Sequence, residues 1–415
     1  MRRDNYPLHI VLFLLTLLTT TVAGAEQALA KIAFPAWLFG VEHDPKVMIG
    51  PSDLWAGLPF ALAFTAFLTT HEFGHYFMAR YHKIKTSLPY YIPIFIPIPG
   101  FFNIGSFGAV IRLRETPPTT KKFFDVGIAG PLAGFVVALG ILIYGFATLP
   151  PQQEFIYSIH TDYAKDFGHV PTQQELQQKY ADGEDLGSVA LGTNLLYTVL
   201  SKVIPNDPSR VPPAHEMMHY PFLMVGFLTL FFTALNLLPI GQLDGGHVMY
   251  GLLGHKRAHL VSRLAVMGLL CAGGAGFVNF SGLAGMEVAE GSFGTLLGAR
   301  LEALGDLAQR ILGVPLWGLF MWFILRRLMK EWTGRRVLML TLGLLAFQAL
   351  LCLVFPSLLA SGVWLVYSFL AVRVLGTEHP PAQQEEPIGL GRKVLGVVAI
   401  LIFILCFSPA PLTMF

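Results

Sequence analysis

The sequence predicts an all-α polytopic membrane protein of about nine transmembrane helices, with an extended hairpin held at the membrane. Three observations carry that expectation. Of the 415 residues, 54% are hydrophobic and only 13% are charged, roughly half the ~25% charge of an ordinary soluble domain. Apolar runs of spanning length recur along the whole chain. Basic residues gather in the gaps between alternate pairs of runs, as the positive-inside rule requires. The net charge of +2 comes with no long basic tract, so composition points to a lipid bilayer and away from nucleic acid.

The expected spans are 8–24, 54–80, 126–149, 221–243, 259–281, 311–326, 337–355, 357–375 and 394–410. The first follows Arg2 and Arg3 and ends in small residues, so it is a signal peptide or, the favoured reading, a retained helix. Arg80, Lys83, Lys85, Arg112, Arg114, Lys121 and Lys122 lie between the second and third spans. Further basic groups follow the fourth and sixth and precede the ninth. All fall on one face if the chain starts inside and crosses nine times. The chain then divides into an N-terminal part (1–53), a central unit (54–255) with an outer loop at 150–220, and a C-terminal set of helices (256–415). The outer loop is polar and glutamine-rich, and no chemistry is expected of it. Cys271, Cys352 and Cys406 lie far apart in apolar runs and read as packing residues.

Residues 88–114 break the helical pattern. Prolines at 89, 93, 97 and 99 each remove a donor and clash with the preceding turn. The stretch GSFGAVIRLR then alternates as a strand does. An extended hairpin dipping into the membrane from inside is expected, tolerated at depth only against protein or a wet cavity.

Two motifs carry chemistry. The second span contains His71-Glu72-Phe73-Gly74-His75. Histidines four apart share one helical face and can offer two imidazoles to one metal ion, with Glu72 placed to act on water. Ionisable side chains inside a span are costly and usually mark function. A catalytic zinc needs a third ligand and an open position. Asp244, in NLLPIGQLDGGH, is the candidate. Pro239 and Gly241 should break the helix just before it, and its depth matches that of the histidines. His247 is a conceivable fourth ligand but reads better as a neighbour of the site, because a fourth protein ligand would close it. His255 and His259 fall in a basic loop. Asn236 is either an interhelical hydrogen bonder or a donor to a developing oxyanion. Gly127, Gly130 and Gly134 read as close-packing positions between helices.

With H-E-F-G-H in one span, N-L-L-P-I-G-Q-L-D-G-G in a later one, and GSFGAVIRLRE and FFDVGIAGPLAGF between them, residues 54–255 resemble the site-2 protease family of intramembrane zinc metalloproteases. The intervening motifs resemble its bacterial and chloroplast (ethylene-dependent gravitropism-deficient) branch. The resemblance implies one Zn2+ per chain on His71, His75 and Asp244, Glu72 as general base, and Asn236 near the scissile carbonyl. It implies a single-span membrane-protein substrate. No stretch is patterned for a PDZ module. Gly105, Ser106, Phe107 and Gly108 are expected to bind the unwound substrate by strand addition. The expected location is a bacterial inner membrane, with the site toward the cytoplasmic side; a chloroplast membrane is the alternative. A metal transporter would need further ligands along a path, which the later spans lack. An inactive scaffold would show a damaged motif, and this one is intact.

Overall fold

A computed structural model describes residues 5–33, 48–96, 102–179, 189–278, 305–354 and 362–414. The described chain is mostly helical, and two hydrophobic clusters hold it together. The first is built on α1 (Tyr6–Leu29), α2 (Leu54–Tyr81), α3 (Thr120–Ala147), α8 (Pro221–Leu237) and α9 (Asp244–Leu253). Its centre includes Phe60, Phe64, Phe124, Leu142, Leu223 and Phe227. The second joins α10 (His255–Val278) to the helices Gly305–Leu328, Gly334–Val354 and Gly362–Leu370 around Trp317, Met321 and Trp364. Phe231 and Leu238 bring α8 and its C-cap into that second cluster, so α8 is the seam between the two.

Close approach of α1 to α2 rests on a glycine. A Cβ on Gly57 would stand 1.9 Å from the Thr21 carbonyl oxygen, so only glycine lets these backbones meet.

Among the described residues, four helices are long and apolar enough to cross a membrane: Tyr6–Leu29, Pro51–Tyr81, Thr120–Ala147 and Gly334–Cys352. The sequence pattern led us to expect about nine. The fourth expected span, 221–243, is shortened because α8 ends at Leu237, two residues before Pro239, and α9 starts afresh at Asp244. Parts of the expected spans 259–281, 337–355 and 357–375, at 279–281, 355 and 357–361, lie outside the described residues.

The stretch 88–114 forms two short antiparallel strands, β1 (Tyr90–Pro93) and β2 (Ser106–Val110), with Tyr90 opposite Val110 and a register shift between Tyr91 and Pro93. Two of its backbone carbonyls and one of its side chains bond to α1, beside the bonds between the strands. His9 Nδ1 bonds the Pro89 carbonyl at 2.9 Å, Thr19 Oγ1 donates to the Gly105 carbonyl at 2.6 Å, and Asn103 Nδ2 donates to Glu26 Oε2 at 3.2 Å. His9 and Glu26 are 17 positions apart on α1, about 25 Å of helix. The hairpin therefore lies along α1 over a distance close to the ~30 Å of a hydrocarbon core.

The 150–220 segment is ordered on both sides of its undescribed part. It holds α4 (Gln152–Ile159), α5 (Tyr163–Asp166), α6 (Gln173–Lys179), β3 (Val189–Leu191) and α7 (Leu195–Val203). β3 pairs antiparallel with β4 (Leu412–Met414) at the far end of the chain.

Candidate metal centre

Three elements converge on one point. α2 presents His71 and His75 one turn apart, and both are buried. The turn after α8 breaks the helix, and Asp244 opens α9 facing them. His71 Nε2 and His75 Nε2 are 3.1 Å apart, and Asp244 Oδ2 lies 3.4 Å from the first and 3.3 Å from the second. Donors on a tetrahedral ion with bonds of about 2.0–2.2 Å stand roughly 3.3–3.5 Å apart, so this triangle has the size of a zinc site. Two imidazole nitrogens facing at this distance need a proton or a cation between them.

The rings are aimed by their surroundings. The Val126 carbonyl accepts from His75 Nδ1 at 2.7 Å, which leaves the Nε2 lone pair turned to the site. α3 crosses so tightly that a Cβ on Gly130 would sit 2.1 Å from His75 Nε2. His71 Nδ1 is buried and meets no hydrogen-bond partner. Asn236, the penultimate residue of α8, brings Nδ2 to 3.3 Å from His71 Nε2.

Glu72 is buried beside the triangle, with Oε1 3.9 Å from His71 Nε2. Its other oxygen accepts from the Ile111 N–H at 2.9 Å. That donor sits just past β2 and points off the hairpin, so the strand edge away from β1 looks at this carboxylate. Thr69 and Tyr91 hydroxyls meet at 2.8 Å and join α2 to β1.

His247 turns elsewhere. Its Nδ1 meets His379 Nε2 at 2.7 Å and its ring stacks on Phe123. Within the GSFG turn, Gly105 is committed to Thr19, and the buried Ser106 hydroxyl donates to the Ile92 carbonyl at 3.0 Å. Phe107 is exposed, and Gly108 has open space where a side chain would go. Val126, Gly130 and Ile111 act through main-chain atoms or through the lack of a side chain. Sequence patterns do not reveal the first or third. Gly130 was visible only as one of a spaced set of small residues.

A helical membrane protein with a metal-sized His, His, carboxylate triangle and an adjacent glutamate on a spanning helix has the architecture of a membrane metallopeptidase. Comparison with known proteins makes the assignment specific. Residues 59–275 match peptidase family M50, and the chain belongs to that family, the site-2 proteases. It is 28% identical over 263 residues to a probable zinc metalloprotease EGY1, chloroplastic, of Oryza sativa subsp. japonica, covering 60% of this chain and 38% of that protein. It is 28% identical over 286 residues to the protein of the same name from Arabidopsis thaliana, covering 65% and 44% respectively. A probable zinc metalloprotease EGY2, chloroplastic, of Oryza sativa subsp. indica is 28% identical over 214 residues, or 52% and 32%. The chain thus spans less than half the length of these relatives. No solved structure matches it.

Proposed function

We propose that this protein is an intramembrane zinc metalloendopeptidase that cuts a single-span membrane protein in or near its transmembrane segment. One observation carries the reading: two histidines and a buried glutamate of a spanning helix meet Asp244 of α9, with the three donors 3.1–3.4 Å apart. His71 Nε2, His75 Nε2 and the Asp244 carboxylate hold one zinc, and the donor set fits it. The chemistry that zinc supplies there is acidification of water and polarisation of the scissile carbonyl. Glu72 takes the proton from the attacking water and later delivers it to the leaving amine. The Ile111 N–H holds Glu72 in place for that transfer. Asn236 Nδ2 lies on the side of His71 from which it can donate to the developing oxyanion.

A transmembrane helix shields its peptide bonds by internal hydrogen bonding, so the substrate must unwind first. The outer edge of β2 is the template we assign to it, with Phe107 and Gly108 at its exposed end and Gly105 and Ser106 fixing the turn. The short helices Pro221–Leu237 and Leu390–Cys406 complete the nine crossings together with α10 and the C-terminal helices. We place the protein in a bacterial inner membrane, with its site toward the cytoplasmic face. His71 and His75 stand ten and six residues before the end of α2, about 15 and 9 Å below that face.

The test is metal content beside cleavage. His71→Ala and Asp244→Ala should each lose one zinc per chain relative to wild type, and both should lose cleavage of a single-span substrate in detergent or vesicles. Zinc content unchanged in both variants would overturn the reading.

A further inference from the structure

Among the described residues, two groups of metal-ligating side chains converge closely enough to share an ion. The second is at the other end of α8 from Asp244, about 25 Å along a helix of 17 residues. His160 follows α4. Glu216 and His219 lie just before α8. We propose that His160, Glu216 and His219 bind a second divalent cation of the zinc class, which clamps the outer segment 150–220 onto the helix bundle.

The geometry repeats that of the first site. His160 Nε2 and His219 Nε2 are 3.0 Å apart, and Glu216 Oε2 lies 3.6 Å and 3.4 Å from them. The first triangle measures 3.1, 3.4 and 3.3 Å. The outer partners also match. The Gln27 carbonyl at the end of α1 accepts from His219 Nδ1 at 2.6 Å, which turns the Nε2 lone pair inward, as the Val126 carbonyl does for His75. Tyr163 donates to Glu216 Oε1 at 3.1 Å, which leaves Oε2 as the oxygen facing the histidines.

A second observation points to a missing partner. Glu216 is 2% exposed and its Oε2 accepts no hydrogen bond, an arrangement that costs free energy unless a cation balances it. Two imidazoles and a carboxylate suit zinc better than calcium or magnesium, which favour all-oxygen sets. His160 is the most exposed of the three, with 25% of its side chain accessible, so the remaining coordination position opens to solvent there. Three parts of the chain are tied at this point: the end of α1 through Gln27, the α4–α5 corner through His160, and the start of α8.

The experiment measures zinc per chain in the purified full-length protein after dialysis against a weak chelator. Two zinc ions are expected in wild type, one in Glu216→Gln, one in Asp244→Ala and none in the double variant. His160→Gln, altered at the solvent-facing lip, serves if the Glu216 variant fails to fold; it should also drop to one. In the Asp244→Ala background, cobalt should give the visible absorption of a four-coordinate site, lost in His160→Gln. A wild type holding one zinc that disappears in Asp244→Ala overturns the proposal. A second zinc that persists in both Glu216→Gln and His160→Gln overturns it as well.

Discussion

His75 is oriented by groups that are not ligands. Its Nδ1 is committed to the Val126 carbonyl, and its ring lies against Gly130 with no room for a methyl group. Gly130→Ala should therefore push the ring aside and weaken zinc binding at this site about 10–100-fold, as loss of an outer-sphere contact does; a zinc titration of the purified variant reads this directly. Glu72→Gln keeps size and hydrogen-bonding shape but cannot take a proton. It should retain wild-type zinc content while cleavage falls by about 10²–10⁴ or more, measured on one preparation by metal analysis and substrate turnover. At this scale the sequence was informative where chemistry needs a side chain: His71, Glu72, His75, Asn236 and Asp244 all stand out in apolar surroundings. The sequence revealed neither the role of Val126, because any residue has a carbonyl, nor what the spaced glycines of α3 pack against. Gly130 faces the His75 ring, which is a more specific reason for a small residue than helix packing in general.

The hairpin is the element that departs most from a plain helical bundle. Its existence was legible from four prolines in eleven residues followed by an alternating run, since neither pattern suits a helix. Its placement was not, because the contacts that set it come from single polar residues on α1: His9, Thr19 and Glu26. In lipid such bonds replace the water that would otherwise satisfy an extended backbone. The Ile111 N–H links this element to the Glu72 carboxylate. Ile111→Pro removes that donor and should cut turnover at least tenfold at unchanged zinc content, whereas full activity would show that Glu72 needs no such anchor. A proline at Val110 should likewise depress cleavage without loss of zinc, by interrupting the strand on which substrate is proposed to pair.

Across the whole molecule, ion pairs and hydrogen bonds sort the loops into two faces. Arg392 grips Asp125 through two bonds of 2.7 and 2.8 Å, His82 reaches the same carboxylate at 2.8 Å, and Lys121 meets Glu386 at 2.7 Å. Residues 82, 121–125 and 386–392 thus lie together, and they include Lys121, Lys122 and Arg392 from two of the basic clusters that set the expected orientation. Gln27, His160 and His219 gather at the opposite end of the bundle. With the native cysteines replaced, a cysteine at Lys83 or Lys393 should react with an impermeant thiol reagent from one side of the membrane only, and one at Ser209 from the other. Labelling of all three from the same side would refute the arrangement. The His160, Glu216 and His219 cluster was not readable, because its members come from distant parts of a polar loop and share no helical face. Only the short E-x-x-H of Glu216-Met217-Met218-His219 hinted at it.

The pairing of β3 with β4 ties residues 189–191 to residues 412–414. A growing chain at about 5–20 residues per second needs on the order of 10–40 s to make the intervening polypeptide. Until the last strand has been synthesised and carried to the right side of the membrane, the outer segment has an unfilled edge. The residues of both proposed metal sites, the last of them Asp244, are already present in the nascent chain well before then. A ribosome that stalls or terminates before β4 therefore leaves all six of these side chains synthesised and the outer edge of β3 unpaired.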